Sequence, residues 1–586
     1  MGDGHSVRFA VSVPPKLKPN TTRLLLLAAA LAVVAGLAFW RLSGPQTPDP
    51  TGQSGSAIAP QVSRPGPSWP RPTRATLAPR DSDLDREFTT SREALTLYEQ
   101  GVTLASGQPV QSAARFRGAV LLDPDFGPAH YRLAIQSITL SRADEAAREL
   151  KLAIARDERL PEPYRTAAPV LAHYVDGAFD LTAQTLGEAF ARQPADPDLH
   201  WVAGSLAARS CDHFDPNAII EHLEPLSSSA EDLRPVRRML VDAYELKGMN
   251  DWALSRALEF KSSNPDLAEA DSELGRVRLA RGEYGDAIEL SDEVLRRGGD
   301  LFAHGLAPAF ILSGHQEQLA VLYDPEMEAT NTPVANALTH LHAGINDVWL
   351  GRFDRAIRHF ERGPEFAQAP WDRSDKALFY LLLGRTYALL GRNQEAHAAF
   401  QAAQQAVGPL PVLEYALGMS ELAAGRIPEA ERVVRRLSRE THVLEPGWTE
   451  PWRRLMTGEI ALASGDAAGA VGEVREAWNL ARPLAVDCVA SHVEAYFLDA
   501  LGRCFLASRR PAEALEAFEE IRSLGIKGLH QPEIVILAEY HSAQALEALG
   551  KPDEARKRYR EFLGRWGSTG EALAEVRAAR LRSGGP

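Results

Sequence analysis

Residues 380–403 read YLLLGRTYALLGRNQEAHAAFQAA, and their spacing decides the fold. Gly384 is followed seven residues on by Gly391 and twelve on by Ala396, with Phe400 and Ala403 closing the unit. The same skeleton recurs as Gly275/Gly282/Ala287, Gly344/Gly351/Ala356, Gly418/Gly425/Ala430 and Gly458/Gly465/Ala470. Gly502/Ala514 and Ala543/Gly550/Ala555 keep it with one substitution each. Small residues phased in this way mark an internal repeat.

The skeleton has a physical reading. Tyr380, Leu383 and Tyr387 fall at helical spacing and form one apolar face. Ala396, Phe400 and Ala403 do the same in the second half of the unit. Gly391 lies between them, where a helix needs a left-handed terminal residue. Asn393 is placed to cap the helix that follows. Gly384 and Ala396 have almost no side chain, so the two helices can cross closely there. The product is a helical hairpin whose outer face stays apolar and must stack on a neighbour.

These residues resemble the tetratricopeptide repeat (TPR) family: Tyr380, Leu383, Gly384, Tyr387, Ala396, Phe400 and Ala403 occupy its signature offsets. The resemblance implies an all-α, TPR-type α-solenoid, a right-handed superhelix of helix hairpins. It also implies a concave groove, lined by the first helix of each pair, that holds a protein or peptide ligand. The position after the first-helix glycine often faces that groove. Here it is Arg276, Arg385 and Arg503 in three copies, and Ile345, Met419 and Glu459 in others. Arginines there can grip an acidic segment bidentately. Tyr415 and Tyr540 are further groove candidates, as large rigid residues of the kind that anchor interfaces. The Lys and Asn set with which the family clamps peptide C-termini is not found in adjacent copies.

Upstream of the repeats the chain changes character. Residues 1–23 form a short basic tail. Residues 24–40 (LLLLAAALAVVAGLAFW) carry no charge and would span roughly 25 Å as a helix, close to the ~30 Å of a bilayer core. Arg23, Trp40 and Arg41 can reach the interfaces. After Arg41 the next basic residue is Arg64. That asymmetry puts the N-terminus in the cytoplasm and the body outside it, anchored through residues 24–41. Cleavage as a signal peptide, with Gly36 and Ala38 before the cut, is the rival reading. Residues 42–89 read as a Pro-rich disordered linker. A degenerate repeat array is expected over 90–330, with poor periodicity at 197–230 and 301–330. A regular array follows over 331–586, and GEALAEVRAARLR (570–582) reads as a polar capping helix.

The runs EAYFLDALGRCFLASRRPAEALEAFEEI, ALEALGKPDEARKRYREFLGRWG and AEVRAARL resemble the closing part of TPR regions in bacterial signalling regulators. The kinase or winged-helix domain such regions accompany has no counterpart before the repeats, where the apolar segment and the linker stand instead.

The composition sets bounds. A net charge of −14 and a pI of about 5.7 argue against a nucleic-acid-binding body. Cys211, Cys488 and Cys504 make no metal or redox spacing. Asp81, Asp83, Asp85 and Glu87 lack the central glycine and closing glutamate of a calcium loop, and suit a helix dipole instead. There is no phosphate loop, GxGxxG, GxSxG or HExxH. His340 and His342 point apart on a helix, and His315 has no partner in sequence. The chain is therefore expected to have no catalytic, cofactor or metal site, no nucleic-acid partner and no small-molecule substrate. The expected function is a non-enzymatic, membrane-anchored TPR scaffold with its body in the periplasm. The alternative is a TPR sensor or regulatory arm acting with a separate kinase or transcription factor.

Overall fold

The computed structural model describes residues 84–586 apart from 106–107, 211–214, 229–233, 303, 324–331, 440–445, 483–485, 488, 490, 570–572 and 585–586. The expected membrane helix at 24–41 and most of the linker lie outside these residues. Among the described residues, no helix is long and apolar enough to cross a membrane.

The founding unit folds as a hairpin of Arg373–Leu389 and Asn393–Val407. Gly391 turns it at a φ of +71°, the left-handed conformation that glycine adopts without strain. Gly282, Gly351, Gly425, Gly465 and Gly550 do the same at φ between +70° and +86°. In two of the described turns another residue holds this place. Arg509 and Ser141 stand there instead, and both are forced left-handed, at φ +57° and +53°. Asn393 does not cap its helix. The Arg392 carbonyl accepts the first helical bond, from the Ala396 N–H at 3.0 Å, so Asn393 becomes the first helical residue.

The other glycine of each skeleton makes close packing possible. A methyl group added at Gly384 would lie 2.4 Å from the Phe400 ring. At Gly344 it would meet Phe360 at 2.4 Å, and at Gly502 it would meet Phe518 at 2.5 Å. In these three hairpins an aromatic ring from the second helix thus packs against the bare backbone of the first. Ala396, Phe400 and Ala403 are buried, as are Ala356 and Phe360, and Ala514 and Phe518.

Hairpins of this kind run from Arg92–Leu104 paired with Pro109–Leu122 to Pro532–Ala548 paired with Pro552–Trp566. The helix Ala574–Arg582 packs on the last pair. The two irregular stretches are also hairpins, shortened ones. Pro197–Arg209 pairs with Pro216–Leu223, and Ala307–Leu312 pairs with Gln316–Leu322. An antiparallel pair of two-residue strands, Val486–Asp487 and Ser491–His492, is the departure from an all-helical body.

Helices far apart in sequence also meet. Tyr174 stacks on Trp371 with ring centroids 5.7 Å apart. Arg209 reaches Asp372 at 3.3 Å, and His492 reaches Glu245 at 2.8 Å. Trp566 donates its indole N–H to the Val348 carbonyl at 2.9 Å and packs edge-on against Phe353. The stack therefore coils tightly enough for successive turns to touch.

Unfolding in urea separates the two glycine roles. Gly384→Ala should cost ~1–3 kcal/mol by overpacking, and the Gly384→Ala/Phe400→Leu pair should cost less than the sum of its single changes. Gly391→Ala should cost about 1 kcal/mol through backbone strain and show no coupling to Phe400→Leu. Arg509→Gly, which relieves the same strain, should raise stability by up to ~1 kcal/mol. A destabilising Arg509→Gly would refute this account of the turn.

Candidate functional site

The coil encloses a recess of about 1160 Å³. Its walls come from Arg234–Leu246, Ala268–Ala280, Pro333–Trp349, the start of Arg373–Leu389, and the 526–530 segment. Both signs of charge line it, and most charges are paired. Arg209 holds Asp372, and Arg237 meets Glu273 at 3.4 Å. Arg276 pairs with Asp242 and donates to the Arg238 carbonyl at 3.2 Å. Trp371, Phe379, Leu341 and Leu529 supply apolar surface between the charges.

Burial shapes the chemistry of these groups. It pushes Asp372 up to about 7 despite the nearby Arg209 charge. It raises Asp375 as well, against the pull of Arg209 and Arg238. It lowers Arg238 to about 10, with the Arg276 charge adding to the effect. His342 falls to about 3, through burial first and then the Arg238 charge, and stays a neutral imidazole.

The five residues singled out from sequence go to different places. Arg276 lines the recess. Arg385 is buried as a strut between turns. It donates to the His530 carbonyl at 2.7 Å, pairs with Glu533 and lies 5.0 Å over the Tyr496 ring. Arg503 grips buried Glu459 with both terminal nitrogens, at 2.9 and 2.5 Å, and reaches Asp499 at 2.7 Å. Tyr415 donates to the same Glu459 at 3.0 Å, and burial raises its phenol well above the usual range. Tyr540 is buried against Tyr559 and Phe562. Four of the five are thus engaged in inter-helix packing, and Arg276 alone among them faces the recess.

Other residues also find their places. His340 contacts His359 through the Nδ1 atoms at 3.0 Å, while His342 turns to the recess. Asp85 sits buried in a 3-10 helix and accepts from Tyr98 at 2.5 Å and Tyr164 at 3.1 Å, instead of serving a helix dipole. Cys504 is fully buried, and burial pushes its thiol up to about 12. Among the described residues, no group of three or more His, Cys, Asp or Glu side chains could hold a metal ion. The recess residues Arg237, Arg238, Asp372 and Asp375 stand outside the repeat skeleton, and only the meeting of distant turns gathers them.

Arg503→Ala should be strongly destabilising, because it strands the buried Glu459 carboxylate, a loss on the order of 3 kcal/mol. Arg276→Ala should move the thermal midpoint little, since its partner Asp242 is 57% exposed. Equal melting of the two variants would contradict these placements. Asp372 supplies a pH test. Folded, it keeps its proton to about pH 7, whereas an unfolded Asp loses it near pH 4. Its contribution to stability is therefore full below about pH 4 and lost as pH rises to about 7. Urea titrations of Asp372→Asn should show a shallower fall in stability over that window than the native chain. Identical slopes would overturn the assignment.

Residues 537–568 match the tetratricopeptide repeat family. No curated protein sequence matches the chain. Among solved structures, the chain is similar to one in the Cut9-Hcn1 hetero-tetramer of the APC/C, at 13% identity and a TM-score of 0.32, covering 86% of this chain and 99% of that one. It is similar to yeast Tom70 at 13% identity and a TM-score of 0.32, covering 83% of this chain and 96% of that one. Residues 537–568, in the hairpin of Pro532–Ala548 and Pro552–Trp566, are thus a tetratricopeptide repeat of this chain.

Proposed function

We propose that this protein is a non-enzymatic scaffold that holds protein partners on the inner face of its coil, tethered to a membrane through residues 24–41. The observation that carries the reading is the recess, which sets paired charges and aromatic faces side by side on a framework of packed hairpins. Such a surface recognises by shape and by placed polar groups, the mode in which stacked repeats use their concave side. Arg276 is the groove arginine best placed to meet a partner, because its carboxylate neighbour Asp242 is accessible and can exchange for another acidic group.

The tether and its direction rest on the uncharged run 24–40 and on the basic residues that precede it. On that reading the N-terminus is cytoplasmic and the repeat body periplasmic.

A crosslinked pull-down from membranes, comparing the native chain with Arg276→Glu, tests the scaffold. The expected result is a partner band retained by the native chain and weakened at least several-fold by Arg276→Glu, with unchanged melting of the variant. A native chain that retains no partner would end the scaffold reading. A reporter fused to the C-terminus should be active only in the oxidising compartment; activity in the cytoplasm would instead favour a signalling arm.

A further inference from the structure

The first helices of three successive hairpins each carry a tyrosine, at one interval of 33 residues: Tyr98 in Arg92–Leu104, Tyr131 in Gly127–Thr139 and Tyr164 in Tyr164–Val175. All three are buried, and all three hydroxyls meet a carboxylate. Tyr131 donates at 2.6 Å to Asp198, a residue of the array itself. Tyr98 and Tyr164 both donate to Asp85, at 2.5 and 3.1 Å. Asp85 is 1% exposed, yet it stands before the array, in the 3-10 helix Leu84–Phe88. Arg132, on the helix between, donates to the Tyr164 hydroxyl at 3.2 Å and brings a buried guanidinium to the pair.

Asp85 does not serve the helix that follows it. Ser91 caps Arg92–Leu104, accepting from the Ala94 N–H at 3.2 Å. Asp85 instead bridges the first and third hairpins, as a ligand laid across a stack of repeats would. The first hairpin closes without it, through the Phe116 ring packed at Gly101. The rest of the segment lies near the surface. Arg86 and Glu87 are exposed, and Phe88 is half-buried against the core of the first hairpin. A carboxylate and, three positions on, an aromatic ring thus share one side of a 3-10 turn.

We propose that the first three hairpins carry a second docking site, for an acidic peptide segment of a protein partner, and that residues 84–88 occupy it in cis as a displaceable stand-in. The partner's carboxylate takes the place of Asp85 and accepts from Tyr98 and Tyr164 beside Arg132, since hydroxyl and guanidinium donors suit an ionised acceptor. An aromatic residue three positions on takes the place of Phe88. Because the resident segment is covalently attached, it competes at a high effective concentration, and a partner must add contacts of its own to displace it. This goes beyond the reading of the recess, and neither depends on the other.

The probe is a fluorescein-labelled peptide of residues 80–90, RDSDLDREFTT, added to the full chain in detergent. Asp85→Lys sets a like charge beside Arg132 and unseats the resident segment. The expected result is saturable binding to the Asp85→Lys chain and binding at least tenfold weaker to the native chain. The same peptide carrying Asp85→Asn should bind at least tenfold more weakly than the acidic one. In the Asp85→Lys background, Tyr98→Phe with Tyr164→Phe should lower affinity tenfold or more, while Arg276→Glu, which alters the recess, leaves it unchanged. Saturating peptide on the native chain should speed hydrogen exchange of the 84–90 amides and leave Gly127–Thr139 as it was. This last arm needs no variant, so a misfolded mutant leaves the test intact. The proposal falls if the peptide binds neither chain, or if its Asp85→Asn form binds as tightly. Binding to the native chain without faster exchange at 84–90 would also overturn it, and would make Asp85 a fixed part of the fold.

Discussion

Several hairpins are held by an aromatic ring packed against a glycine, at Gly101, Gly344, Gly384 and Gly502. Where Phe400 covers Gly384, or Phe518 covers Gly502, there is no room for even one more carbon. The contact brings two helix backbones close, and the closeness leaves a regular outer surface on which the next hairpin can settle. Close contacts of this kind, repeated along the chain, stack the hairpins into a curved coil. The curvature brings distant turns together, and the recess is the space they leave.

The hairpins were legible because small residues recur at a fixed beat. The beat marks both the turn and the point of closest approach, at Gly391 and Gly384 respectively. It was also legible in the copies that break the rule. Ser141 follows Ala134 at the same interval as Gly391 follows Gly384, and it takes the same left-handed backbone. The short hairpins near 216–223 and 307–322 were obscured because helices of six to eight residues carry too few turns to show a period. Asn393 misled because a good capping side chain says nothing of where the first helical bond forms.

The site was harder to read, for a different reason. Position within a repeat says which way a side chain faces in its own hairpin, but not what the next turn of the coil brings against it. Arg385, Arg503 and Arg276 share one register. The first is buried against 530–533, the second is locked to Glu459, and the third lies beside an accessible partner. Asp375 and Arg238 belong to no recurring pattern at all. They line one recess where distant turns meet, as Trp371 stacks on Tyr174 and Arg209 reaches Asp372.

The clasp between Trp566 and Val348 has a consequence for the number of units in the stack. An open array tolerates the gain or loss of a repeat, because each unit leans only on those beside it. Here, deleting any hairpin between the two residues would swing everything downstream by one step, and the indole would arrive at the wrong carbonyl. The tally of units is thus part of the architecture, as the number of staves is for a barrel. A lineage carrying this clasp would vary its loops and its faces before its length.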